Sequence, residues 1–218
     1  MHKTVVNLID IKKEINSKKL DSPEVKIIAV CKTFSMENII PLIDYGHLDF
    51  GENKVQEAIE KWTEIKKNYS KIKLHMIGKL QSNKVKLAVQ LFDYIHSVDN
   101  RKLAKKIADE QLKINKKIKV FLQVNIGNED QKSGVSLNDL NEFFSYCTKE
   151  KKLNVIGLMC IPPNDNNEEK YFEIMSERNK LLNLKNLSMG MSSDYLKAIK
   201  YHANFLRIGS GIFGERNQ

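Results

Sequence analysis

Eight short apolar runs, with helix-like segments between them, constrain this chain more than any other feature. They are Lys26–Cys31, His47–Phe50, Leu74–Ile77, Tyr94–Val98, Val120–Asn125, Val155–Ile161, Leu187–Met191 and Phe205–Ile208, recurring roughly every 20 to 30 residues. IIAVC, VFLQV and VIGLMCI are nearly continuous apolar stretches, as parallel strands buried on both faces require. Between the runs, Leu137, Leu140, Phe144 and Cys147 follow Ser136 at helical steps, and Asp139 stands where a weak capping box needs it. Leu103, Ile107 and Ala108 trace a second apolar stripe, and Leu8, Ile11 and Ile15 predict one more helix ahead of the first strand. Alternation of this kind predicts an α/β fold, a single (β/α)8 TIM-type barrel with an extra N-terminal helix. A doubly wound open sheet shares the local pattern and is the runner-up. A barrel would gather functional groups at the C-terminal ends of its strands.

The 218 residues suffice for one core, so residues 1–218 read as one domain. The net charge of +9 comes almost wholly from scattered lysines, because Arg101, Arg178, Arg207 and Arg216 are the only arginines. A nucleic-acid groove would use more arginine, interleaved with aromatics, so this pattern reads as a solvated surface. Cys31, Cys147 and Cys160 have no metal-ligand or redox spacing and read as buried thiols of a reducing compartment. The opening MHKTVVNLIDIKKEIN has neither the apolar core of a signal peptide nor the acid-poor character of a transit peptide. No window is long and apolar enough to span a bilayer. A cytoplasmic, monomeric protein is the expectation, with no metal, nucleic-acid or membrane partner.

Lys32 arrives just as the run Ile27–Cys31 ends. A lysine at the mouth of a core loses basicity on desolvation and becomes a nucleophile, whereas the bland reading is a strand-end lysine that snorkels to water. The usual product of such an amine is a Schiff base with an aldehyde, and pyridoxal phosphate (PLP) is the commonest aldehyde cofactor. GSGIFG at 209–214 formally matches GxGxxG, but with four residues after it no second strand can follow. After an eighth barrel strand the same glycines make better sense as a phosphate cup, joined by the Ser192 and Ser193 hydroxyls. Arg207 is the arginine inside an expected strand, so it must face a ligand or an acid. His75 reads mainly as a satisfied core residue. Glu52, Glu129 and Asp194 read equally as acid/base groups or as caps and lysine partners.

Seven segments in order carry a resemblance: AVCKT at 29–33, FGENKVQE at 50–57, HMIGKLQSNK at 75–84, QVNIGNEDQKSGV at 123–135, GLMCIPP at 157–163, LSMGMSSDYLKAI at 187–199 and LRIGSGIFGER at 206–216. Together they resemble the PLP homeostasis protein family, small PLP-binding barrels related to the alanine racemase N-terminal domain. The resemblance implies that Lys32 is the Schiff-base lysine and that Arg207 faces the pyridine nitrogen. It also implies that Ser192, Gly209 and Ser210 bind phosphate, with Asn53 near the ring. The chain departs from the family pattern at His202 and Asn204, where the family usually has glycine and then threonine or serine, which puts that turn in doubt.

The leading expectation is therefore a binding protein that holds PLP on Lys32 and maintains its intracellular supply with little or no turnover. The alternative is a PLP-dependent amino-acid racemase, which would need a second acid/base such as His75 or Cys160 facing the lysine. A third, weaker expectation is docking on apo PLP-dependent enzymes through the basic surface.

Overall fold

The computed structural model describes residues 1–18, 24–129 and 131–215, so Asp130 and Arg216 of the segments above lie outside the described residues. Eight parallel strands close into a barrel in chain order: β1 (Lys26–Val30), β2 (Asp49–Glu52), β3 (Lys73–Met76), β4 (Tyr94–Val98), β5 (Lys119–Val124), β6 (Asn154–Cys160), β7 (Asn186–Ser188) and β8 (Phe205–Ile208). The seam is β1 against β8, in register from Lys26 opposite Phe205 to Ala29 opposite Ile208. The helices are α1 (Lys3–Ser17), α2 (Met36–Asp44), α3 (Val55–Asn68), α4 (Val85–Leu91), α5 (Arg101–Lys113), α6 (Leu140–Ser145), α7 (Glu168–Leu181), α8 (Tyr195–Lys200) and α9 (Ser210–Phe213). The expected barrel and its extra first helix are both present, and the open sheet is ruled out by the closed strand order.

Alternation along the strands makes two cores. Ala29, Phe50, Leu74, Ile95, Leu122 and Leu206 belong to the larger one, which also takes in helix residues such as Leu42 and Trp62. Ile28, Tyr94, Phe121, Met159 and Phe205 form a smaller one of their own, as the inward set of a barrel does. Each fully buried large apolar side chain contributes about 1.5–3 kcal/mol. Cys31, Cys147 and Cys160 are free thiols buried in this packing, as expected. Between β6 and β7 the backbones approach so closely that a Cβ on Gly157 would lie 2.0 Å from the Asn186 carbonyl oxygen.

Some boundaries differ from the expected ones. His47 belongs to the turn after α2, its N–H on the Leu42 carbonyl at 2.9 Å and its Nε2 2.9 Å from the Asp49 oxygen, so β2 starts at Asp49. β7 stops at Ser188 because Gly190, at φ +90°, turns the chain. Half of the capping box forms, with the Asp139 N–H on Ser136 Oγ at 3.1 Å and that hydroxyl donating to Asp139 Oδ2 at 2.6 Å, but it closes a turn ahead of α6. The helix then widens into a π turn over Tyr146–Glu150.

α1 lies across the outside of the seam. Thr4 Oγ1 donates to the Asn38 carbonyl in α2 at 3.4 Å, and Asn7 Nδ2 to the Ile212 carbonyl in α9 at 2.9 Å. The Tyr195 hydroxyl of α8 donates to the Glu14 carboxylate. Among the described residues no helix is long and apolar enough to cross a membrane.

Candidate functional site

A cavity of about 640 Å³ opens where the strands end, and Lys32, Asn53, Ser192, Arg207, Gly209 and Ser210 all line it. The six residues expected at the site therefore meet in one place, drawn from the ends of β1, β2, β7 and β8. Four cations face this space, namely Lys32, Lys79, Lys132 and Arg207, and among the described residues no carboxylate lines it. Lys79, Gln123 and Lys132 escaped the residue-by-residue reading. Their signal was present, since each lies in a segment that follows or ends an expected strand.

Lys32 is half-buried, and a charged cluster holds the backbone around it. The buried Glu52 Oε1 accepts from Trp62 Nε1 at 3.0 Å, from Lys61 Nζ at 3.3 Å and from Cys31 Sγ at 3.3 Å. Lys61 Nζ also donates to the Cys31 carbonyl at 2.9 Å and to Glu57 Oε1 at 2.6 Å. Glu57 Oε1 in turn accepts the Thr33 N–H at 2.7 Å. Both peptide neighbours of Lys32 are thus anchored. Burial pushes the Glu52 carboxyl up from its ordinary value despite these donors, and burial together with Glu52 pushes the Cys31 thiol up. Thr33 sits at φ +67°, a left-handed conformation rarely adopted by a β-branched residue. Glu52 is a structural lysine partner, as one of its two readings held.

The far side of the cavity is a cup. The Gly211 N–H donates to Ser192 Oγ at 3.0 Å, tying the loop after β7 to α9 and leaving the Ser192 hydroxyl proton free to donate. Asp194 accepts the Met191 N–H at 2.5 Å and folds that loop into a turn, so it too is a cap. Glu129 pairs with Lys132 at 2.6 Å. The loop after β5 folds back so that Val135 bridges Val124, with the Val135 N–H on the Gln123 carbonyl at 2.8 Å. Gly134 makes this possible, since at φ +136° a Cβ there would lie 2.4 Å from the Asn125 nitrogen.

Arg207 is buried, and its guanidinium is held by neutral acceptors: Nη1 donates to Ser188 Oγ and Nη2 to the Cys160 carbonyl, both at 2.8 Å. The sequence left open whether Arg207 faces an acid or a ligand. Among the described residues no carboxylate hydrogen-bonds it, and it lines the cavity. His75 and Cys160 do not. His75 is fully buried within the barrel, with Asp49 on one ring nitrogen and His96 on the other, both at 3.0 Å. Burial holds it neutral, its pKa lowered, and burial pushes the Cys160 thiol up to about 12.

The turn in doubt closes without glycine. His202 adopts φ +66° and ends α8, with its N–H on the Ile199 carbonyl and the Ala203 N–H on that of Ala198. Asn204 is buried, its Oδ1 accepting the Leu187 N–H at 2.9 Å.

Residues 6–217 match the family model described as alanine racemase, N-terminal domain, which defines the class of barrel. Among curated relatives, pyridoxal phosphate homeostasis proteins of Vibrio alginolyticus and Aquifex aeolicus are 36% and 38% identical, over 90% and 88% of this chain and 89% and 87% of theirs. The chain belongs to the pyridoxal phosphate homeostasis protein family. PipY of Synechococcus elongatus PCC7942, in a structure with PLP bound, superposes with a TM-score of 0.86 at 31% identity, covering 97% of this chain and 100% of PipY. The alanine racemase of Clostridium difficile 630, in complex with cycloserine, shares the fold at 14% identity and a TM-score of 0.75, over 99% of this chain and 60% of the racemase.

Proposed function

We propose that this chain holds pyridoxal 5'-phosphate as a Schiff base on Lys32 and maintains its intracellular supply, with little or no turnover. The observation that carries this reading is a cavity lined by four cations and several hydroxyl and amide donors, with no carboxylate lining it among the described residues. Such a donor set suits a phosphorylated aldehyde and repels nothing on it. When bound, PLP would supply an aldehyde that the Lys32 amine would hold as a C=N bond, with water released. Asn53 lies beside the ring. Ser192, Gly209 and Ser210 receive the phosphate with hydroxyl and backbone N–H donors. Arg207, already committed to Ser188 and Cys160, presents its remaining N–H groups toward the ring nitrogen. A permanent cation there keeps that nitrogen unprotonated.

The racemase alternative needs a second proton-transfer group on the cavity wall, and neither residue considered for it lines the cavity. The same reading extends to a monomeric, cytoplasmic, one-domain protein that delivers PLP to apo-enzymes.

Two measurements test it. Borohydride reduction of the PLP-loaded chain traps the cofactor on Lys32, and Lys32→Ala abolishes the adduct while circular dichroism stays unchanged; an adduct elsewhere refutes the assignment. Proton–deuterium exchange at Cα of L-amino acids runs no faster than with free PLP, whereas Lys32-dependent exchange at enzyme-like rates would make the protein a racemase.

A further inference from the structure

One hydrogen-bonded file of side chains runs through the barrel from its floor to Arg207. Asp49, at the start of β2, meets His75 Nε2 at 3.0 Å. His75 Nδ1 meets His96 Nε2 at 3.0 Å, and His96 Nδ1 meets Ser188 Oγ at 2.8 Å. Ser188 Oγ accepts Arg207 Nη1 at 2.8 Å. His75, His96 and Ser188 are each 0% exposed. Aromatic rings sheathe the file: His75 stacks on Tyr94 at 4.2 Å and His96 on Phe121 at 4.3 Å.

The two ends dictate a single direction. A guanidinium can only donate and an ionised carboxylate can only accept. Arg207 therefore donates to Ser188, whose hydroxyl proton must go to His96 Nδ1. His96 then carries its proton on Nε2 and donates to His75 Nδ1, and His75 donates from Nε2 to Asp49. Every proton in the file is assigned, and each group is satisfied. The opposite tautomers would set the bare His75 Nε2 against the carboxylate and leave the buried Ser188 proton without its acceptor.

We propose that Asp49, His75, His96 and Ser188 act as a one-way relay of positioning residues that pins the Arg207 guanidinium for the ring nitrogen of the bound cofactor. The relay makes Ser188 Oγ an obligate acceptor for Nη1, so the plane of the guanidinium is set from the floor of the barrel. This inference rests on the PLP reading of the cavity.

The test reads the relay without the cofactor first. Long-range 1H–15N spectra of the full chain labelled at histidine give both His75 and His96 as neutral Nε2–H tautomers at neutral pH. Asp49→Ala removes the terminal acceptor, mixes the tautomers at His96 and displaces the absorption band of bound PLP, whereas Asp49→Asn, which still accepts, restores both. Ser188→Ala weakens PLP about tenfold, the effect of losing one buried hydrogen bond to a charged group, with borohydride trapping on Lys32 retained. An Nδ1–H or cationic ring at either histidine, with PLP still trapped on Lys32, overturns the relay alone. So does an Asp49→Ala variant whose tautomers change while the absorption band stays put. Correct tautomers in a chain that traps no PLP overturn instead the reading of the cavity, and the positioning role with it.

Discussion

Single residues carry strain here where the surrounding bonds hold them to it. His202 ends α8 in the left-handed region with both hydrogen bonds of a Schellman turn in place. An L-residue there costs about 1–2 kcal/mol, against which glycine loses some ground in the more flexible unfolded chain. His202→Gly is therefore expected to stabilise the protein by roughly 0.5–1 kcal/mol, read as a raised urea midpoint at unchanged slope. An unchanged or lowered midpoint would mean that the imidazole makes a compensating contact. The sequence showed that this turn departs from its family without showing that the geometry survives, because the two bonds that close it, and the Leu187 N–H that Asn204 accepts seventeen places away, appear only in three dimensions. Lys32 and Arg207 were legible for the opposite reason: a charge inside an apolar run has few places to go. The file beneath Arg207 was not legible. Asp49, His75, His96 and Ser188 each look like one polar residue on one strand, and only barrel closure stacks them.

At the scale of elements, periodicity located all eight strands, and its errors lie at their ends. His47 and Gly190 moved boundaries through turn geometry, which hydrophobic pattern does not record. The α6 helix was expected to reach Cys147 as a regular helix, yet a π turn takes over at Tyr146, keeping Cys147 and Tyr146 buried with one extra residue in the turn. Contacts between elements are more demanding than the elements themselves. Gly157→Ala forces β6 away from β7 and is expected to destabilise by about 3 kcal/mol or more, measured by chemical denaturation. A loss below about 1 kcal/mol would show that the two strands separate easily.

For the whole molecule, buried histidines set the acid limit of stability. Burial lowers the pKa of His47 to about 4 and depresses those of His75 and His96 as well. In the unfolded chain these rings titrate near 6.5, so below that value the unfolded state binds more protons and stability falls as the pH falls. Glu52, Asp99 and Asp194, whose pKa values are raised mainly by burial, act in the opposite sense, starting from their unfolded values near 4, below the window in which the histidines begin to charge. Unfolding free energy is expected to drop between about pH 6.5 and 5, with His47 alone contributing on the order of 3 kcal/mol by pH 4. A flat profile from pH 7 to 5 would refute this. The barrel seam has a consequence of another kind. β1 and β8 pair across almost the whole described chain, so the wall between Lys32 and the Gly209–Ser210 cup is completed only when the last strand docks. A cofactor fixed to Lys32 at one end and to the cup at the other would rivet that seam shut. Its stabilisation should then appear as a slower rate of opening, with the rate of barrel formation left nearly unchanged.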